Sequence, residues 1–296
     1  MGADTVVGAG CTGRRGRRST VSVSFHGVRG STPCSGPEVA RYGGNTSCVS
    51  LAVADGPPIV FDLGTGLRNF GAGVPSHTPF LGAALVTHLH WDHVQGLPFF
   101  TPTLRPGGHL DVFGPRQPDG GLRDAFERMV QPPFFPVTFD DFAGSFEFGD
   151  VHDDDFALFD AKVTARPVPH LGATVGYRVE RGGVTVAYVS DHQQPLDGSF
   201  RVADAVLELA EGCDLLIHDA QYTACDFAHK AHWGHCTVEY AVEVARQAGA
   251  RRLALFHHDP AHGDDLLDTI HGAARVAGNH WGIDVIGACE GMSIVL

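Results

Sequence analysis

The run His88-Leu89-His90-Trp91-Asp92-His93 gathers groups that bind metal ions. It follows an apolar segment, residues 83–87, that reads as a strand. Side chains two apart on an extended segment point the same way, so His88 and His90 can grip one cation. Asp92 and His93 come next, where the chain turns toward a helix, and can hold a second. Imidazole and carboxylate together suit zinc, and manganese or iron are also accepted. With 18 histidines in the chain some clustering arises by chance, but the spacing and the strand-then-turn setting fit a ligand set.

Other polar residues stand just past apolar strands. His170 follows residues 163–169, Asp191 follows 187–190, His218 and Asp219 follow 215–217, and His257 and His258 follow 253–256. A single histidine at a strand end is ordinarily a buried or capping residue. Four such ends in a chain that already carries the run at 88–93 point instead to one shared site, because strand ends are where layered α/β proteins gather ligands.

This pattern resembles the metallo-β-lactamase superfamily, through His88-x-His90-x-Asp92-His93 followed in order by His170, Asp191 and His257. The resemblance implies an α/β fold, a four-layer αββα sandwich, holding two divalent metal ions. It implies that His88, His90 and His170 hold the first metal, that Asp92, His93 and His257 hold the second, and that Asp191 bridges both. An anionic bridge keeps two dications close, and water between them is deprotonated near neutral pH and becomes the nucleophile. Leu216-Ile217-His218-Asp219-Ala220, Gly234-His235-Cys236-Thr237 and Leu255-Phe256-His257-His258-Asp259-Pro260 are similar to the C-terminal motifs of the ribonuclease Z and cyclic-phosphodiesterase branch, with Asp219 in place of its usual glutamate and Cys236 in place of its serine. That resemblance implies catalytic roles for Asp92 and Asp191 and makes His218 the acid that protonates the leaving oxygen. Asp219 is its carboxylate neighbour, and His235 falls inside the motif. A structural hydrogen bond at a strand end is the alternative for His218. Asp62, in Phe61-Asp62-Leu63-Gly64-Thr65-Gly66, also matches a family signature and is expected to accept the N–H of a ligating histidine, with a turn aspartate as the alternative.

Smaller signals stay open. Gly43-Gly44-Asn45-Thr46 shapes either the floor of the site or a turn before a strand. His258 and Asp259 contact substrate or cap a loop. His229 and His232 belong to a solvated loop or line the cleft. His26, His77, His109, His152, His192, His262, His271 and His280 read mostly as surface or capping residues.

The elements that must position these groups follow from hydrophobic patterning. Strands are expected at 21–27, 47–54, 58–62, 82–87, 109–113, 162–169, 173–180, 184–190, 213–217 and 252–256, with short ones near Asp284 and Met292. A hairpin turn is expected at Arg181-Gly182-Gly183. Helices are expected at 119–130, 200–211, 237–248 (closed by Gly249) and 264–276. Strands come first in runs and then alternate with helices, which two facing sheets with helices outside would satisfy. Residues 131–160 read as a long irregular loop, rich in Phe and Pro and then acidic. They pack on the core, form a lip over the site, or make a dimer contact.

Composition bounds the rest. The chain has 296 residues, 43% of them hydrophobic, enough for a large core and consistent with one hydrolase domain over 20–296. Residues 1–19, with Arg14-Arg15-Gly16-Arg17-Arg18, read as a disordered tail, with a nucleic-acid-steering arm as the minority reading. No apolar run is long enough to span a bilayer, so no membrane role is expected. The seven cysteines form no CxxC pair and read as reduced thiols of a cytoplasmic protein. A formal charge of −13 shows no basic face for nucleic acid. Ribonuclease Z carries a tRNA-holding arm between the positions of His170 and Asp191, where this sequence has only a hairpin's worth of chain. The reading is therefore a dinuclear-metal-dependent hydrolase. Its favoured substrate is a small or cyclic phosphodiester, with nucleic acid disfavoured. The alternatives are a ribonuclease Z-like tRNA 3′-processing endonuclease, or a lactonase or ester hydrolase. A homodimer is also expected of such a family member.

Overall fold

The computed structural model describes residues 20–53 and 56–296. The tail reading for residues 1–19 falls outside the described residues. The strands and helices in chain order are β1 (Val21–Gly27), β2 (Cys48–Val53), β3 (Ile59–Phe61), α1 (Leu67–Gly73), β4 (Leu81–Leu85), α2 (Trp91–Val94), β5 (His109–Pro115), α3 (Leu122–Met129), β6 (Ser145–Val151), β7 (Asp154–Leu158), β8 (Ala161–Pro167), β9 (Val175–Arg181), β10 (Val184–Val189), α4 (Asp204–Ala210), β11 (Leu215–Asp219), α5 (Ala224–Lys230), α6 (Val238–Ala248), β12 (Arg252–Phe256), α7 (Asp264–His280), β13 (Asp284–Gly287) and β14 (Ser293–Val295).

Two seven-stranded sheets result, ordered β14-β1-β2-β3-β4-β5-β6 and β13-β12-β11-β10-β9-β8-β7. Each is antiparallel over one half and parallel over the other. Alternation along the strands sorts side chains into three cores. Val21, Val23 and Phe25 of β1, Leu215 and Ile217 of β11 and Ala254 and Phe256 of β12 meet between the sheets. Leu216, Leu253 and Leu255 point the other way, onto Val206 and Leu209 of α4 and Tyr240, Ala241 and Val244 of α6. On the far side of the first sheet Leu67, Val112, Leu122 and Phe126 close a third layer with α1 and α3. The order helix, sheet, sheet, helix is the expected αββα sandwich.

The helix ends follow local chemistry. Thr237 Oγ1 accepts from the backbone N–H of Tyr240 at the start of α6, and Gly249 closes it in the left-handed conformation (φ 65°). The expected helix at 200–211 shrinks to α4, and α7 runs one turn past the expected 276, to His280.

Residues 131–160 are not a structureless loop. β6 pairs in parallel with β5, from His109↔Ser145 to Pro115↔Val151, and β7 then crosses to the edge of the second sheet. Phe146 and Phe148 alternate with Ser145 and Glu147, which is a strand pattern that the surrounding aspartates obscure. Phe139 is buried, with its ring 5.0 Å from Phe146 and 5.6 Å from Phe148. Core packing is thus the main role of this segment. Phe139→Ala should cost about 3 kcal/mol, read as a lower denaturant midpoint at unchanged slope; an unchanged midpoint would mean that the ring merely lies on the surface.

Candidate metal centre and active site

The C-terminal ends of strands from both sheets meet at one edge of the sandwich. His88, His90, Asp92 and His93 follow β4, His170 follows β8, Asp191 follows β10 and His257 follows β12. All seven expected ligands converge there. His88, His90, His170 and Asp191 present one donor set within 4.8 Å, and Asp92, His93 and His257 present another. The Asp191 carboxylate stands between them. Its Oδ2 is 3.7 Å from His88 Nε2 and 3.5 Å from His170 Nε2. Its Oδ1 is 3.3 Å from His93 Nε2 and 3.4 Å from His257 Nε2.

The donor chemistry fits a pair of cations. Ligand nitrogens face one another, with His88 Nε2 2.9 Å from His90 Nδ1 and His93 Nε2 3.3 Å from His257 Nε2. The opposite ring nitrogens are already committed. His93 Nδ1–H donates to Asp62 Oδ2 (2.8 Å), His170 Nδ1–H to the carbonyl of Gly234 (2.7 Å) and His257 Nδ1–H to Gln221 Oε1 (2.8 Å). Such bonds fix the tautomer and leave the Nε2 lone pair aimed into the site. Burial lowers the affinity of His88, His90 and His170 for protons, favouring the neutral form that ligates. Burial alone raises the Asp191 carboxyl, yet His257, His93 and His88 hold it well below the usual carboxylate range.

The site is braced by residues whose roles are hard to read one at a time. Asp62 also accepts from Tyr188 Oη (2.8 Å) and the Thr87 backbone N–H (2.8 Å), so it is no simple turn residue. Asp62→Ala removes the acceptor for three buried donors, His93 Nδ1–H, Tyr188 Oη and the Thr87 N–H, and for the Thr87 and Ser190 hydroxyls. Metal affinity should fall 10- to 100-fold by the general cost of losing such a partner, about that range, as measured by competition with a chelator; unchanged affinity would leave Asp62 a purely structural residue. Ser31, Asp62 and His257 all have positive φ (62°, 57° and 59°). Strained backbone of this kind persists where the surroundings over-determine it. Two glycines allow the close approach: a Cβ on Gly30 would strike the His257 ring, and one on Gly234 (φ 97°) the His170 ring. Sequence reasoning missed Ser31, whose backbone N–H donates to Asp92 Oδ2 (2.7 Å), and Gln221.

His218 does not reach the cleft. It is fully buried; its Nδ1–H donates to the carbonyl of Asp219 (2.7 Å), and its Nε2 meets His192 Nδ1 at 3.0 Å. Burial lowers its proton affinity. These facts favour the structural alternative for His218 and correct the expected acid role. His235 lines the cleft instead, with its Nδ1 3.0 Å from Asp219 Oδ2 and 3.7 Å from Asp191 Oδ2. Burial opposes its charge, but Asp219, Asp191 and Asp92 together outweigh burial and raise its proton affinity. The carboxylate expected to serve His218 thus serves His235.

Other expectations resolve as follows. His192, His262 and His271 are buried, not superficial; their partners are His218, Asp226 and Tyr42. His258 Nε2–H donates to the Ala288 carbonyl (2.8 Å), and Asp259 binds Lys230 Nζ at 2.7 Å, so both hold loops. Asn45 is tied to Glu290, and residues 43–46 are irregular backbone leading into β2, with Thr46 bridged to Arg29. His232 lines the cleft; His229 belongs to α5. No helix among the described residues is long and apolar enough to cross a membrane.

A family model described as a β-lactamase superfamily domain matches residues 59–258. The chain belongs to the metallo-β-lactamase superfamily. It is a metal-dependent hydrolase of that superfamily. The chain is 28% identical over 280 residues to a Ribonuclease Z of Natronomonas pharaonis, covering 80% of this chain and 87% of the relative. A Ribonuclease Z of Methanothermobacter thermautotrophicus is 26% identical over 264 residues, covering 72% and 80%. Among solved structures, the metallo-β-lactamase fold protein YhfI of Bacillus subtilis superposes with a TM-score of 0.70 at 18% identity, covering 94% of this chain and all of that one, which shows the shared superfamily fold.

Proposed function

We propose that this superfamily member is a phosphodiesterase. The observation that carries the reading is the Asp219–His235 pair on the cleft wall beside the ligand cluster. Opening a phosphodiester expels an alkoxide, a leaving group that gains from a nearby proton donor. A lactone expels an alkoxide as well; the similarity to relatives named Ribonuclease Z is what favours a phosphodiester over it.

His88, His90 and His170 would hold one divalent ion, Asp92, His93 and His257 another, and Asp191 would contact both. The nitrogen and carboxylate set favours zinc, with manganese or iron as the other ions it accepts. When bound, the metals supply an activated water and stabilise charge on the phosphoryl oxygens. Asp92 accepts from the Ser31 N–H, which keeps its carboxylate aimed at His257 Nε2 (3.1 Å). Asp219 accepts from His235 Nδ1–H and so holds the ring with Nε2 toward the cleft; that nitrogen carries the proton for the leaving oxygen.

The favoured substrate is a small or cyclic phosphodiester. Residues 171–190 are spent on β9, β10 and their short connections, leaving no chain there for an arm. The earlier ground for disfavouring nucleic acid is weakened, however, because the relatives named Ribonuclease Z align over most of the chain. A tRNA 3′-processing activity is therefore the second reading. The test offers metal-loaded protein bis(p-nitrophenyl) phosphate, a cyclic nucleotide, an acyl-homoserine lactone and a pre-tRNA. Cleavage of the first two supports the first reading; endonucleolytic cleavage of pre-tRNA at its 3′ end replaces it with the second. Opening of the lactone alone overturns both.

A further inference from the structure

Trp91 stands in sequence between the ligands His90 and Asp92, yet it is 66% exposed and belongs to no core. Its ring borders two cavities. One, of about 510 Å³, is the polar cleft over Asp92, Asp191 and His235. The other, of about 260 Å³, is mainly apolar, walled by Leu89, Trp91, Phe126, Met129 and Phe134, with Arg128 at its rim. The proposed mechanism uses nothing in this second cavity. Phe134 is 75% exposed beside it, so two exposed aromatic side chains, Trp91 and Phe134, border the same cavity.

We propose that the cavity behind Trp91 is the subsite for a nucleobase of the phosphodiester substrate, with Trp91 as the wall shared between base and phosphate. The inference rests on the phosphodiesterase reading and adds the class of organic group that flanks the phosphate. Three features select this occupant. The cavity is smaller than the pockets that enclose whole ligands, so it holds one part of a molecule whose reactive part lies elsewhere. It shares the Trp91 side chain with the metal cleft as a common border, which places that part beside the scissile group. Its wall is aromatic (Trp91, Phe126 and Phe134) and carries a guanidinium at the edge. Aromatic faces stack on a flat heterocycle, and Arg128 can donate to its ring nitrogens or exocyclic oxygens. An alkyl chain would fill the space but offer the guanidinium no acceptor.

Binding is required to depend on the base, not merely on the phosphate. The first measurement compares kcat/KM for adenosine 2′,3′-cyclic phosphate with that for the 2,3-cyclic phosphate of methyl riboside, which lacks the base. Stacking of one base predicts a preference of roughly 5- to 100-fold for the nucleotide. Phe134→Ala removes an exposed ring and should cut that preference by about 5-fold. The second measurement titrates AMP and ribose 5-phosphate against tryptophan fluorescence. AMP should bind more tightly than ribose 5-phosphate and quench the emission, and Trp91→Phe should remove most of the quenching although Trp233 and Trp281 remain. Turnover of both cyclic esters at equal kcat/KM overturns the base subsite and leaves the phosphodiesterase reading intact. If neither ester is cleaved, turnover of bis(p-nitrophenyl) phosphate or pre-tRNA decides the phosphodiesterase reading. The subsite is then decided by fluorescence: base-dependent quenching through Trp91 supports it, and equal binding of AMP and ribose 5-phosphate overturns it. A Trp91-dependent fluorescence change with decanoyl-homoserine lactone, and none with AMP, would also overturn it in favour of an alkyl group.

Discussion

Asp191→Ala should yield a folded protein that retains almost no metal and almost no hydrolytic activity. Asp191 is fully buried, and its two oxygens face different histidine pairs, His88 and His170 on one side and His93 and His257 on the other. Removing it takes away the one negative charge common to both donor sets, and two dications then repel across the gap. Lewis-acid assistance is worth several kcal/mol, so kcat/KM should fall by about 10³-fold or more. Asp191→Asn separates charge from shape: it keeps the size and some hydrogen bonding but loses the anion, and should resemble the alanine variant in metal content. Elemental analysis of both proteins provides the check. Full metal content in either variant would remove Asp191 from its bridging position.

A second large effect distinguishes the two histidines of the C-terminal motifs. His235→Ala should slow diesters with alkoxide leaving groups by roughly 10²–10⁴-fold, the ordinary worth of a positioned general acid. Hydrolysis of bis(p-nitrophenyl) phosphate should suffer much less, because nitrophenolate leaves without a proton. Metal content should stay near the wild-type level. His218→Ala should behave differently. It unties His192 and takes the imidazole donor from the Asp219 carbonyl, which then keeps only the weak Cys236 S–H donor; this lowers stability by about 1–3 kcal/mol and affects good and poor leaving groups alike. Stopped assays on matched alkyl and nitrophenyl diesters, together with denaturant melts, separate the outcomes. A leaving-group-dependent loss in His218→Ala and a uniform one in His235→Ala would reverse the assignment.

The way His218 was misread shows what can be taken from sequence. Side chains on β11 alternate: Leu215 and Ile217 enter the core between the sheets, while Leu216 faces the helices. By that parity His218 falls on the helix side with Leu216, beside Cys236, and Asp219 falls on the inner side toward the site. The parity of β11 therefore carries the signal that places His218 away from the cleft. The metal ligands were legible because four of them lie in one short run and the others end apolar strands. The Thr237 cap and the Gly249 stop of α6 were legible for similar local reasons. β6 and β7 were not, because Asp150, Asp153, Asp154 and Asp155 make the segment look solvated, although the pairing with β5 and β8 is set by Phe146, Phe148 and Phe156. Nor does sequence disclose that Ser31, Asp62 and His257 take positive φ, since nothing about those residue types demands it; tertiary contacts from both sheets impose it. The Trp91 cavity also depends on α3 and Phe134 folding back beside α2, a juxtaposition that no local pattern encodes.

The most direct test of the dinuclear centre is metal stoichiometry coupled to activity in the unaltered chain. Elemental analysis should find two equivalents of divalent metal per chain; dialysis against a chelator should remove them and abolish hydrolysis of bis(p-nitrophenyl) phosphate, and adding zinc or manganese back should restore it. Protein that hydrolyses the diester equally fast after its metal has been stripped, or that never holds more than a trace, would contradict the convergence of these seven side chains on a pair of cations.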